Sequence, residues 1–444
     1  MSLIAIPFRL RTAFFRPIEQ PICMSNQTVN WDDCIDVVSI TDVGMRRANN
    51  QDSHVVLIAE DEETWNTRGH LLVVADGMGA HAAGELASKL AAQGVPHHYY
   101  KHQELSAPEA IQLAVREANE EIHRRGQANS EFHNMGTTCS SLLLLPQGAL
   151  IAHVGDSRVY RLRNHVLEQL TFDHSLVWEM RAAGGQFKDQ SVAAGIPKNV
   201  ITRSLGPNAD VQVDLEGPFR ILPNDLFLIC SDGLTARIDE NEFGPILDTL
   251  PPEEAAALLV DLSNVRGGPD NCTMIIATVN ERFEETSGDK LPPLVVGAHL
   301  KPKKSIHPAV WGTLIASTLI AGGFVVLGYY AAAAAVGGIA IAAMGYAAYV
   351  KLDSQSQTGV ALTGNKRLGK APYVQASSTM NAEFITRFVE SIRYQIEYDE
   401  PTASDADMVR VDGCLNEAVA NAEQNAFADA LRLCGVAIKV LLDK

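Results

Sequence analysis

The chain has 444 residues, enough for two or three domains and a sizeable core, and its 46% hydrophobic and 20% charged content excludes a disordered chain. A formal charge of −17 argues against nucleic acid as the main partner, because phosphate backbones select basic surfaces. Seven scattered cysteines, an odd number without a CxxC, argue against a disulfide framework or a thiolate zinc site and suit a reducing compartment.

In chain order, the opening "MSLIAIPFRLRTAFFRPIEQ" breaks its apolar stretch at Pro7 and Arg9, so it does not read as a signal peptide. Residues 1–35 are taken as an N-terminal extension, with Met24 as an alternative start. Residues 36–280 then alternate short β-rich runs with helical stretches. Strands are expected in "DVVSI", "SHVVLIA", "HLLVVA", "CSSLLLL", "ALIAHV", "DLFLIC" and "CTMIIATV", and "RVYRLRNHVLEQL" reads as a hairpin turning near Arg163 and Asn164. Helices are expected over 82–95, 107–125, 174–183 and 252–265. Many connections are too short for parallel crossovers, so the sheet is expected to be largely antiparallel within one α+β domain.

Residues 281–304 form a linker rich in Pro, Glu and Lys. From Ser305 to Val350 there is no Asp, Glu, Lys or Arg, a run over twice the ~20 residues that one helical membrane span needs. Its first half would reach about 33 Å as a helix at ~1.5 Å per residue, and the Ala and Gly of its second half suit close helix–helix contact. A two-helix transmembrane hairpin is therefore expected. Lys301, Lys303 and Lys304 before it and Lys351 after it would keep both flanking parts on the cytoplasmic side. After a second linker, 351–373, residues 374–444 read as a small helical module for partner contact or self-association. Phe384, Phe388 and Ile392 recur at helical spacing there, as do Phe427, Leu431, Cys434, Ile438 and Leu441.

Within 36–280 the most apolar runs keep ending or beginning on aspartate. Asp52 precedes "HVVLIA", Asp76 ends "HLLVVAD", Asp156 follows "LIAHVG", Asp232 follows "DLFLICS", and Asp270 lies in "RGGPDN" before "CTMIIATV". One such residue is ordinary turn chemistry; five form a pattern that a solvated acidic surface does not produce. Oxygen ligands without a His or Cys cluster point to Mg²⁺ or Mn²⁺. Two dications about 4 Å apart repel by roughly 17 kcal/mol at an effective dielectric near 20, so several carboxylates are needed. Gly77 would let the backbone approach an ion and offer its carbonyl. Such a pair of ions would turn water into a nucleophile for phosphorus, and Arg46 or Arg47 could clamp the phosphate.

The ordered motifs "TDVGMRRANNQDS", "VVADGMGAHAAGELAS", "GTTCSSLLL", "AHVGDSRVYRL", "LTFDHSLV", "SLGPNADVQVD", "LICSDGLT" and "GGPDNCTMIIATV" make residues 36–280 resemble the metal-dependent serine/threonine phosphatases of type 2C, in their bacterial form. The resemblance implies two packed antiparallel β-sheets flanked by helices, here followed by transmembrane helices and the helical tail. It implies Mn²⁺ or Mg²⁺, two ions and a more weakly bound third. By position, Asp76 matches the residue bridging two metals, Gly77 the carbonyl ligand, and Asp232 and Asp270 ligands of the first metal. Asp52 matches an acid near the second metal, and Asp156 one that helps hold the third with Asp232. Arg47 matches the phosphate-binding arginine better than Arg46.

Two positions depart from the family pattern. Met78 stands where animal members carry a histidine, leaving a metal-bound water as the implied proton donor, and Ala80 replaces a glycine. His81 and His174 are read as structural, with Asp173 as a helix cap. Gly184 to Leu205 falls where the family carries its flap beside the site. The implied partners are phosphoproteins, among them a serine/threonine kinase and its targets, acted on by a membrane-anchored enzyme with a cytoplasmic catalytic domain. The competing reading is a catalytically inactive phosphoprotein-binding receptor or scaffold, which lost metal ligands would favour; all the core aspartates are present.

Overall fold

The computed structural model describes residues 34–80, 82–183, 200–281, 292–297, 308–355, 359–362, 366–398 and 405–442. The flap segment 184–199, His81, and most of the N-terminal extension and of both linkers lie outside them.

The strands are β1 Ile35–Asp42, β2 Asp52–Leu57, β3 His70–Met78, β4 Gly136–Thr137, β5 Cys139–Leu145, β6 Gly148–Val154, β7 Arg158–Arg163, β8 Val166–Gln169, β9 Asp214–Phe219, β10 Leu226–Cys230, β11 Cys272–Val279, β12 Val295–Val296, β13 Val360–Ala361 and β14 Val374–Ser377. The helices are α1 Glu62–Thr67, α2 Ala83–Lys101, α3 Ala107–Ala128, α4 Leu176–Ala182, α5 Asp232–Thr235, α6 Glu240–Thr249, α7 Pro252–Val265, α8 Pro308–Val326, α9 Tyr330–Gln355, α10 Ala382–Tyr398, α11 Asp405–Glu423 and α12 Phe427–Leu442.

Two antiparallel sheets carry the architecture. One runs β1-β11-β10-β7-β8-β14; the other runs β2-β3-β5-β6-β9, with β4 paired to β3. Because side chains alternate across a strand, each sheet buries both faces. On β3, Leu72 and Val74 pack between the sheets with Ile151, Phe227 and Ile275, whereas Leu71, Val73 and Ala75 pack outward on α2 and α3. On β10, Phe227 and Ile229 point inward, while Leu228 and Cys230 pack outward with α6 and α7. Double burial explains why these strands read as continuous apolar runs. The tight β7–β8 hairpin turns through Asn164 and His165, both at positive φ, one residue later than expected from the sequence.

The tail does not stand apart from this sandwich. Ile385, Phe388, Leu415, Leu431, Cys434 and Ile438 belong to the same buried cluster as Leu228, Phe243, Leu259 and Met274. β14 extends the first sheet by pairing with β8, and Arg432 of α12 reaches Glu254 of α7 at 2.7 Å. Three helices, where the sequence pattern marked two segments, thus cover one face of the sandwich. Helical periodicity records that a face is buried but not against what.

Between sandwich and tail, α8 and α9 form a tight antiparallel pair joined by Leu327, Gly328 and Tyr329. Both are long and apolar enough to cross a membrane by length and composition, and their most apolar windows are only 6% and 17% buried.

Candidate metal and phosphate site

All five strand-associated aspartates gather at one end of the sandwich. Register does the first part of the work. Asp52 at the start of β2 lies directly opposite Asp76 near the end of β3, so both side chains project from the same face of the sheet. Asp76 is held by its backbone: its N–H donates to Thr138 Oγ1 at 2.8 Å, and its carbonyl accepts from the Thr138 N–H at 2.8 Å and Thr137 Oγ1 at 2.9 Å. The first sheet supplies Asp232 at the first turn of α5, directly after β10. Ser231, just before it, donates from Oγ to Asp52 Oδ2 at 2.8 Å and so ties the two sheets together at the site.

Glycines allow the close approaches. A Cβ on Gly77 would sit 2.1 Å from the Gly84 carbonyl oxygen, so only glycine lets the end of β3 meet the start of α2. A Cβ on Gly233 would sit 1.9 Å from the Asn271 carbonyl oxygen, which makes glycine equally necessary where the Asp232 turn abuts the Asp270 loop.

Asp270 accepts from the Asn271 N–H at 2.9 Å, and its other oxygen pairs with Arg47 Nη2 at 2.6 Å. Asn271 does more than any sequence reading assigned to it. Its Oδ1 accepts from the Gln51 N–H at 2.8 Å, and its Nδ2 donates to the carbonyls of Val43 at 2.9 Å and Asn49 at 3.1 Å. One buried amide thereby fixes the loop carrying Arg47 against the loop carrying Asp270 and leads directly into Asp52.

The electrostatics of this end are unfavourable for the protein alone. Burial first, then the neighbouring carboxylates, pushes Asp52 up to about 6 and Asp76 well above the ordinary range. Burial and the Asp232 and Asp173 charges push Asp156 up to about 7; burial and Asp270 also raise Asp232. Asp52 Oδ1 and Asp232 Oδ1 are buried with no hydrogen-bond partner. Among the described residues no three acidic, His or Cys side chains are already arranged to hold a metal ion. What the protein presents is a set of crowded carboxylates with two orphaned oxygens, a donor set that a hard divalent cation would satisfy.

A model of the family described as protein phosphatase 2C matches residues 45–257. The chain is 36% identical over 243 residues to the serine/threonine phosphatase stp of Listeria monocytogenes, covering 53% of this chain and 92% of that relative. It is 35% identical over 260 residues to the protein phosphatase PhpP of Streptococcus pneumoniae, covering 56% of this chain and all of the relative. Among solved structures, the catalytic domain of the serine threonine protein phosphatase PstP in complex with two manganese ions is 29% identical, with 56% of this chain and 99% of that one covered and a TM-score of 0.47.

The chain belongs to the type 2C protein phosphatases. It is a metal-dependent serine/threonine protein phosphatase.

The structure of this phosphatase brings together Asp52, Asp76, Asp156, Asp232 and Asp270, the other four carboxylates all lying close enough to Asp76 to act on its charge, with Gly77 beside them. Arg47 joins them through Asp270, with about half its side chain exposed. Arg46 instead has its backbone N–H bonded to the Gly268 carbonyl at 3.2 Å. Met78 pairs with Gly136 and has no proton to donate at the site.

His174 is a buried structural residue. Its Nδ1 accepts from the Gly155 N–H at 2.9 Å, and Nε2 lies 3.0 Å from Asp214 Oδ2. The expected cap is different in kind: Asp173 makes no cap bond but accepts from Arg158 Nη2 at 2.7 Å and Nε at 2.9 Å, and α4 begins after Ser175. A buried guanidinium outcompetes a helix N-terminus for a carboxylate because the ion pair satisfies two desolvated charges at once.

Proposed function

We propose that this enzyme hydrolyses phosphoserine and phosphothreonine in proteins with two Mn²⁺ or Mg²⁺ ions held by Asp76, the Gly77 carbonyl, Asp232, Asp270 and, through water, Asp52, with Asp156 serving a weaker third. When bound, such ions supply a water activated near neutral pH and neutralise phosphoryl charge. The observation that carries the reading is the pair of orphaned buried oxygens on Asp52 and Asp232 within a crowd of five carboxylates.

The chain's own groups have distinct tasks. Asp76, held from both sides of its peptide by Thr137 and Thr138, keeps its carboxylate where the two sheets meet. Asn271 holds the Arg47 loop in register with the Asp270 loop. Arg47, half exposed beside Asp270, would take two phosphoryl oxygens in bidentate fashion. Met78, two residues after Asp76, has no proton to give a leaving group.

The same reading anchors the enzyme in a membrane through the α8–α9 hairpin, with the sandwich on the cytoplasmic side, and takes phosphoproteins, including a kinase and its targets, as substrates. The uncharged Ser305–Val350 run and the exposed apolar surface of both helices support the anchor.

The test uses purified full-length protein in detergent. With Mn²⁺ it should release phosphate from a phosphothreonine peptide, and chelation should stop it. Arg47→Ala should raise KM about tenfold or more, the size expected for a lost charge-assisted bond of ~1.5–3 kcal/mol. A protein loaded with Mn²⁺ that releases no phosphate would defeat the proposal.

A further inference from the structure

The way the chain leaves and rejoins the sandwich carries information about where the active site faces. Just before the hairpin, β12 pairs antiparallel with β13, just after it: Val295 opposite Ala361 and Val296 opposite Val360, with the Leu362 N–H donating to the Leu294 carbonyl at 2.7 Å. This clip is docked, not free. Leu294 and Leu362 are buried in one cluster with Ala107, Ala110 and Ile111 of α3, and the Gly297 N–H donates to Glu109 Oε1 at 2.9 Å. Gln147, in the β5–β6 turn, donates to the Pro292 carbonyl at 3.4 Å. The outgoing and returning strands are therefore pinned side by side on the catalytic body.

That pin sits at the pole away from the acids. β6 runs from Gly148, next to Gln147, to Val154, two residues before Asp156, so the strand alone separates the clip end from the acid end by about 20 Å at ~3.4 Å per residue. The register agrees: Leu144 and Leu145 pair near Gly148, whereas Cys139 pairs with Val154 at the acid end.

The hairpin itself has the marks of a membrane element. Trp311 and Tyr346 lie at the end nearest the sandwich connections, Tyr329 and Tyr330 at the far turn, and all four are exposed. Aromatic residues at both ends of an uncharged helical pair match the two interfaces of a bilayer. The return tether is short. α9 continues past its apolar window, Tyr330–Ala348, to Gln355, about 10 Å of helix. Residues 356–359 then span no more than about 17 Å before β13.

We propose, resting on the membrane reading above, that the α8–α9 hairpin enters and leaves the bilayer on one side and tethers the phosphatase by the pole opposite its acid cluster. The active site then faces away from the lipid and acts on phosphoresidues carried on protein segments well clear of the bilayer surface. Both ends of the hairpin return to one folded body, since the tail shares the sandwich core. An odd number of crossings would have to tear that core apart.

The experiment reconstitutes the full-length enzyme with Mn²⁺ in sealed liposomes. It compares three phosphothreonine peptides of one sequence: soluble, lipid-anchored through a spacer of roughly 10 Å, and lipid-anchored through a spacer of roughly 60 Å. The soluble peptide should be cleaved as fast as in detergent, and the long-spacer peptide at least tenfold faster than the short-spacer one. Equal rates for the two spacers overturn the polarity. A C-terminal tag digested from the opposite side of the membrane to the sandwich overturns the same-side return. Failure of the protein to float with the liposomes, with activity on the soluble peptide intact, defeats the membrane reading itself, and the proposal with it.

Discussion

The acid end of the sandwich and the α8–α9 hairpin break the ordinary partition of side chains in opposite ways. At the acid end, carboxylates are buried against one another with oxygens left unpartnered. In the hairpin, apolar side chains such as Ile315, Leu319, Ile341 and Met344 are exposed along two helices that touch chiefly each other. Proteins tolerate neither situation without compensation. One region lacks positive charge and the other leaves apolar surface uncovered. Under the reading proposed above, each deficiency names its own ligand: a hard cation in one case, lipid in the other.

The largest effect should come from removing a carboxylate at the acid end. Asp76→Asn or Asp232→Asn should cost several kcal/mol of transition-state stabilisation, on the order of 10³-fold in kcat. Neither should destabilise the cation-free fold, because each deletes a repelling charge. Peptide turnover and thermal melting with chelator read the two halves separately, and a variant that keeps its turnover would show that the crowding serves something else.

The matching change in the hairpin is Leu319→Arg. It should cost about 2.5–3.5 kcal/mol of insertion, on the order of 100-fold in membrane partition, while hydrolysis of a soluble peptide stays as it was. Carbonate extraction of membranes followed by sedimentation measures it. If partition is unmoved, the exposed apolar face has a covering other than lipid.

Between the two regions, Leu431→Ala in α12 should lower the stability of the sandwich itself by about 2–5 kcal/mol, because its side chain fills the cluster shared with α6 and α7. A single cooperative transition shifted downward is the expected melt. A tail that unfolds on its own, leaving the sandwich transition unchanged, would separate what the shared core joins.

The smallest effect is on pH. Asp52 and Asp156 have folded-state values raised to about 6 and about 7. Their protonated forms favour folding fully below the ordinary value near 4, and that contribution disappears as pH rises through about 6 and then about 7. The cation-free protein should thus lose stability across this window. The rise in melting temperature produced by saturating Mn²⁺ should grow from pH 5 to pH 7.5, to roughly 5–10 °C for ligand at a hundred times Kd. Differential scanning calorimetry with and without Mn²⁺ tests the slope. A shift that shrinks with rising pH has the wrong sign.

How much was legible in advance follows the range of the interactions involved. The central strands of both sheets could be read directly, because double burial demands unbroken apolar runs such as "HLLVVA" and "CTMIIATV". The two short edge strands β9 and β14 could not: β9 carries a Gly-Pro, β14 has four residues, and both are set by their partners. α6, with a proline inside it, also escaped the periodic pattern. The acids were visible as residues at the ends of apolar runs. Asn271 and Ser231 were not, since a neutral amide or hydroxyl in a loop carries no signal until its partners are known.

The sequence by itself determined that five aspartates border buried strands, that an uncharged stretch follows the last of them, and that two amphipathic segments close the chain. These are properties of composition and local period, which short-range sterics and hydrophobicity translate into elements without reference to the rest of the molecule. Only tertiary structure decided that Arg47 meets Asp270, 223 positions away, and that β2 and β3 set Asp52 opposite Asp76. The tail's completion of the sandwich and the clip at the pole away from the acids were also decided there. Each of these depends on which surfaces pack together, and the free energy of that choice is spread over the whole core.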